Sequence, residues 1–246
     1  MTTLDVLLQR AVAAHPDSEA LIDAPNRASF FTGESQRLTW GDLDNAVNGV
    51  ATALQTAGVN AGDAVAIQLP NAVELPISLL ACFRIGAVAT PFPIQHREHE
   101  LRHGLRTSGA RHLITAARPD RDDVLAASMS VLAEFDAAML TFGTATIDSA
   151  TVLVLPEGPA SIPAEHVADP SDVATICWTS GTTGTPKGVP RAHSMWLASS
   201  DLQVTELGLT ADERILCPFP VVNMAGIGGM LVPWLQTGSA LLLHHP

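Results

Sequence analysis

Along residues 38–92 the apolar positions switch repeatedly between a helical and a strand period. Leu43, Val47, Val50 and Leu54 recur at the helical spacing after Thr39, a capping residue, and Gly58 offers the left-handed stop. Ala64 to Leu69 is short, apolar and strand-like, and Pro70-Asn71 punctuates it. A second helical run is predicted from about Ala72 to Ile85, with Pro76 in its first turn or kinking it and Gly86 ending it. The next strand, Ala87 to Phe92, is bounded by Pro91 and Pro93, which disfavour a regular central strand there.

The same alternation continues. Strands are predicted at Arg111–Thr115 and Ala137–Phe142 around a helix near Asp122–Phe135. Further strands follow at Val173–Trp178, Ile215–Cys217 and Ala240–His244, and helices at His193 to about Leu207 and Met224–Leu235. Strands alternating with helices predict an α/β fold of mostly parallel sheets with helices on both faces. The Pro- and Ala-rich stretch Glu157–Pro170 lacks a period, which places a subdomain boundary near residue 170. Residues 1–170 are then a first α/β subdomain and 171–246 the start of a second.

Composition narrows the chemistry. The 246 residues are 47% hydrophobic, enough for a sizeable core, and the net charge of -12 argues against a nucleic-acid-binding surface. Cys82, Cys177 and Cys217 are widely spaced in apolar surroundings, as expected of reduced, buried thiols in a cytoplasmic protein. The N-terminus lacks the form of a signal peptide, and no stretch reaches the ~18 apolar residues of a membrane span. The sequence leaves the oligomeric state open.

Lys187 is the only lysine, in a chain whose other fixed cations are all arginine, which points to a need for a compact ammonium. It stands in Thr179-Ser180-Gly181-Thr182-Thr183-Gly184-Thr185-Pro186-Lys187-Gly188, where hydroxyls and glycines crowd around one cation. Such a loop suits polyphosphate, because glycine lets backbone N–H groups turn inward and small hydroxylated side chains admit an anion. It is not the Walker loop: Pro186 replaces the second glycine and Gly188 the metal-binding hydroxyl.

Trp178 to Val189 resembles the signature loop of the AMP-forming adenylating superfamily of acyl-CoA synthetases, luciferases and peptide-synthetase adenylation domains. Leu38–Leu43, Gly86–Pro91, Glu100-Leu101 and Pro218–Gly226 fit in the same order, so the resemblance spans roughly residues 17–246. It implies the N-terminal part of an acid–CoA ligase, the acid a carboxylic and most naturally a fatty acid. The substrates would be that acid, ATP with Mg²⁺, and CoA. By resemblance, Thr179, Ser180, Gly181, Thr182, Thr183, Gly184, Thr185 and Lys187 would hold the nucleotide, with Lys187 and Thr183 catalytic. Asn223, Met224 and Gly226 would border the acyl pocket, Asn223 standing where many relatives carry histidine or an aromatic residue. No protein metal ligand is assigned. The family's later segments and its C-terminal lid with a second lysine are absent from these residues, so the chain alone is expected to be inactive.

Two alternatives come from other classes. His99-Glu100-Leu101-Arg102-His103, with His96 one turn earlier, satisfies the zinc-hydrolase pattern H-E-x-x-H, although Gln95, Arg97, Glu98 and Arg102 fit a solvated helix. The other alternative is a split enzyme, or a non-catalytic regulatory module of the same fold.

Overall fold

The computed structural model describes residues 2–121, 123–143, 149–164, 166–179 and 186–245. Helix α1 (Leu4–Ala14) leads into strands β1 (Glu19–Ile22) and β2 (Arg37–Thr39), then helix α2 (Trp40–Thr56). Thr39 caps α2 through a reciprocal capping box with Asp42, as the pattern predicts. Strands and helices then alternate: β3 (Ala64–Ile67), α3 (Glu74–Arg84), β4 (Val88–Pro91), α4 (Glu98–Ser108), β5 (His112–Ala116), α5 (Val124–Ala133) and β6 (Ala138–Phe142). Pro76 sits in the first turn of α3, where its missing N–H costs nothing.

A short strand β7 (Ala150–Leu153) follows, and then β8 (Val173–Thr179), β9 (Lys187–Ala192), α6 (His193–Leu207) and β10 (Arg214–Cys217). The final helical run is α7 (Met224–Gly226), a π-helical turn at Ile227–Leu231, and α8 (Val232–Thr237), before β11 (Ala240–Leu243). Seven strands form one sheet in the order β7-β6-β5-β3-β4-β8-β9, and four form the other in the order β10-β11-β1-β2. All pairs are parallel except β8 with β9 and β1 with β2. Both sheets draw strands from either side of residue 170.

The period-two alternation of the strands serves two cores. Val65, Ile67, Ile114, Leu140 and Phe142 join the larger cluster, while Ala66, Leu113 and Met139 face the smaller one under α4 and α5. Helices α2 and α3 lie between the sheets, α2 against β1 and β2 and α3 against β3 and β4. Trp40 and Trp234 stack at 4.9 Å inside the larger core, each indole N–H satisfied by a backbone carbonyl. The three cysteines are buried and free. Among the described residues no helix is long and apolar enough to cross a membrane.

Two expectations are corrected. Strand β4 is central, between β3 and β8, despite Pro91. Its ladder to β8 is reduced to one register pair, Ala89 with Thr175, so the N–H that Pro91 lacks has no partner to lose. The Thr90 hydroxyl donates instead to the Ile176 carbonyl at 3.3 Å. The second correction is that β8 does not pass through its loop directly into a helix. The chain first returns antiparallel as β9, an edge strand in which Pro190 is tolerated, and only then enters α6.

Candidate functional site

The phosphate-loop candidate is the connection of the β8–β9 hairpin. Thr179 ends β8 and faces Lys187, the first residue of β9, across the last register pair. Both are exposed. Ser180, Gly181, Thr182, Thr183, Gly184 and Thr185 lie outside the described residues. Lys187 has no carboxylate within ion-pairing distance among the described residues.

The foot of the hairpin is built by packing. Trp178 stacks on Phe92 at 5.1 Å and donates its indole N–H to Thr90 Oγ1 at 2.9 Å. Gly188 lies alongside, where a Cβ would come within 2.9 Å of Ile176 and 3.3 Å of Trp178. His103 of α4 reaches the Pro186 carbonyl with Nε2 at 2.9 Å.

The candidate acyl-pocket segment, residues 218–226, follows β10 and is held from a distance. Asn71, 3% exposed after β3, donates to the carbonyls of Phe219 at 3.3 Å and His244 at 2.8 Å and accepts from the Val221 N–H at 3.2 Å. Asn223 caps the final helical run, its Oδ1 accepting from Gly226 N at 3.0 Å. Gly226 is obligatory in this turn, because a Cβ would lie 2.2 Å from the Pro220 carbonyl oxygen. Met224 is 40% exposed. The structure thus joins Thr179 to Lys187 and Asn223 to Gly226. Among the described residues no hydrogen bond or ion pair links the two groups.

Between β3, the segment after β5 and the end of β11 lies a cleft of about 290 Å³, with Leu69, Ile94, Pro220 and Val222 as its apolar wall. Arg118, Arg121, His244 and His245 add the polar lining, at the carboxyl ends of parallel strands where α/β folds place ligands. Both arginines are already paired, Arg118 with Asp120 and Arg121 with Asp123. Burial lowers the His245 pKa and pushes the Cys217 thiol up to about 11, so neither is charged near neutrality. Asn71 and the two arginines were not singled out from sequence. Asn71 reads locally as turn punctuation, and its partners lie 148 to 173 residues away.

The H-E-x-x-H residues are engaged otherwise. Glu100 closes the α4 capping box, its carboxyl held below the usual range chiefly by the Arg97 backbone N–H, and His103 faces Pro186. Among the described residues no group of three or more His, Cys, Asp or Glu side chains could hold a metal ion.

Comparison with known proteins places these features in a family. Residues 8–246 match the AMP-binding enzyme family. The chain is 32% identical over 248 residues to probable CoA ligase CCL9 of Humulus lupulus, covering 98% of this chain and 44% of that one. It is 29% identical over 231 residues to 4-coumarate–CoA ligase 5 of Oryza sativa subsp. japonica, covering 92% and 41%. The apo structure of MbtA from Mycobacterium smegmatis superposes with a TM-score of 0.83 at 27% identity, covering 99% of this chain and 44% of that one. The chain therefore spans less than half the length of these relatives. With its mostly parallel sheets and its family match over nearly the whole length, the chain belongs to the AMP-binding enzymes of the AMP-forming adenylate and CoA-ligase superfamily, corresponding to their N-terminal AMP-binding part.

Proposed function

We propose that this chain supplies the phosphate-gripping part of an AMP-forming acid–CoA ligase. The observation that carries the proposal is the β8–β9 hairpin: it presents the only lysine, exposed and without a carboxylate partner, at the end of a loop of hydroxyls and glycines. In this reading Lys187, Thr179 and the loop hydroxyls, Thr183 among them, donate to phosphate oxygens and hold the nucleotide in line with the incoming carboxylate. When bound, Mg-ATP supplies the α-phosphorus to which the acid is joined with release of pyrophosphate, after which the acyl group passes to the sulfur of CoA. Magnesium fits as an ion carried by the nucleotide, since the loop offers hydroxyls and an ammonium rather than carboxylates.

Asn223, Met224 and Gly226 shape one wall of the acid site, with the cap and the close approach at Gly226 fixing its backbone. The acceptor is CoA, as in the relatives named CoA ligases. The acid class follows them less narrowly: a named relative acts on 4-coumarate, so aromatic acids stand beside fatty acids as substrates. Because the relatives are more than twice as long, the proposal divides the site. These residues bind nucleotide, and turnover needs groups outside them.

The test incubates the chain with ATP, Mg²⁺ and a panel of aromatic, cyclic and fatty acids. Lys187-dependent ATP binding without pyrophosphate release is expected. Release that Lys187→Ala abolishes would refute the division of the site, and ATP binding indifferent to Lys187→Ala would refute the phosphate role.

A further inference from the structure

The helix carrying the H-E-x-x-H pattern touches the hairpin at one polar point. A carbonyl oxygen only accepts, so His103 Nε2, 2.9 Å from Pro186 O, carries the proton and donates it. That nitrogen then has no lone pair for a metal. The imidazole also meets the Trp178 ring edge to face at 6.1 Å. Helix α4 reaches this position because Gly104 faces Phe92, where a Cβ would lie 2.2 Å from the ring.

The geometry points to His103 as a positioning residue for the phosphate loop, an inference that rests on the loop reading proposed above. The pyrrolidine ring fixes φ of Pro186 and leaves it no N–H, so its carbonyl is the one main-chain group through which its remaining torsion is held. The bond from His103 holds it. Together with the Thr179 pairing, this fixes the peptide plane entering Lys187 and hence the direction in which the lysine leaves the strand. Without it the ammonium samples a wider range, and phosphate affinity falls while the fold stays intact. The histidine that suggests a zinc site in the sequence instead braces the loop's one cation.

The experiment titrates the 246-residue chain with magnesium pyrophosphate, followed by ³¹P NMR. It compares the wild type with His103→Leu, which keeps bulk without a donor, His103→Ala, His103→Gln and Lys187→Ala. Loss of one hydrogen bond predicts about five- to tenfold weaker binding in the Leu and Ala variants. His103→Gln, whose amide N–H donates, should return to within about twofold of wild type, at equal melting temperature. Amide exchange at residues 186–189 should accelerate in the Leu and Ala variants only. Should Ala fail to fold, Leu against Gln carries the comparison. Wild-type affinity and exchange in His103→Leu, with binding lost in Lys187→Ala, would overturn the positioning role and leave the loop reading standing. If the wild type does not bind pyrophosphate, or Lys187→Ala binds equally, the loop reading falls and the inference with it.

Discussion

Asn71 commits its amide to the backbone of two segments more than 140 residues away, and removing it leaves the Phe219 and His244 carbonyls and the Val221 N–H without that partner. Asn71→Ala should cost about 2–4 kcal/mol in urea unfolding, and a loss under about 1 kcal/mol would show that water replaces it freely. Asn223 occupies the position where histidine or an aromatic residue is usual, and its structural task is plain: it caps the run that starts at Met224. His193 gives a pH signature. Its Nδ1 accepts from the Leu4 N–H at 3.2 Å, and burial, only partly offset by Asp172, lowers its pKa to about 4. Above the unfolded value of about 6.5 both states are neutral, and this site adds no pH dependence. Between about 6.5 and 4 the unfolded chain takes up a proton that the folded chain refuses, so stability falls with falling pH, by roughly 3 kcal/mol in all. His193→Asn keeps an acceptor without titrating. The wild type should lose stability relative to that variant from pH 7 to 4.5, whereas a constant difference would mean that the ring is not held neutral.

Elements were legible where the chain's own pattern forms them. Helix α2 shows both its stripe and its capping box in the sequence, and β3, α3, β5 and β6 lie within a residue or two of their predicted bounds. Strand β9 was not legible, because Lys187-Gly188-Val189-Pro190 has neither alternation nor β propensity. It is a strand only because β8 lies beside it. Strand β1 is likewise defined by β11, more than two hundred residues later. The stretch after β7 reads as a linker and is in fact strapped along α2 by side-chain amides. Asn45 pairs with Gly158 O and Ala160 N at 2.8 and 2.7 Å, and Gln55 with both polar backbone groups of Ala164. Asn45→Ala combined with Gln55→Ala should speed proteolysis within residues 157–164 with little change in melting temperature. Unchanged cleavage would show that contacts such as Pro156 against Gly49 hold the strap alone.

At the scale of the molecule, a buried ion cluster locks the N-terminal segment onto the sheet that carries the site. Arg27 meets Asp23 at 2.6 Å and Glu74 at 2.6 Å, while Asp23 also accepts from the Val73 N–H beside the loop that bears Asn71. Arg27→Ala strands two buried carboxylates and should cost about 3–5 kcal/mol, read by thermal or urea unfolding; under about 1 kcal/mol would mean that they protonate or hydrate at little cost. The candidate site was legible in part. Its loop and its lone lysine stood out in composition, whereas the aromatic foot and the Asn71 clamp join residues that the sequence holds far apart. In a chain of net charge -12, phosphate affinity has to come from a local arrangement, and the account assigns it to Lys187. The most direct test is calorimetric titration of the chain with Mg-ATP, comparing wild type, Lys187→Ala and Lys187→Arg. The account predicts measurable binding by the wild type, at least about tenfold weaker binding by Lys187→Ala, and little rescue by Lys187→Arg, because a planar guanidinium does not replace a compact ammonium at this foot. Equal affinity in wild type and Lys187→Ala, with both folded, would contradict it.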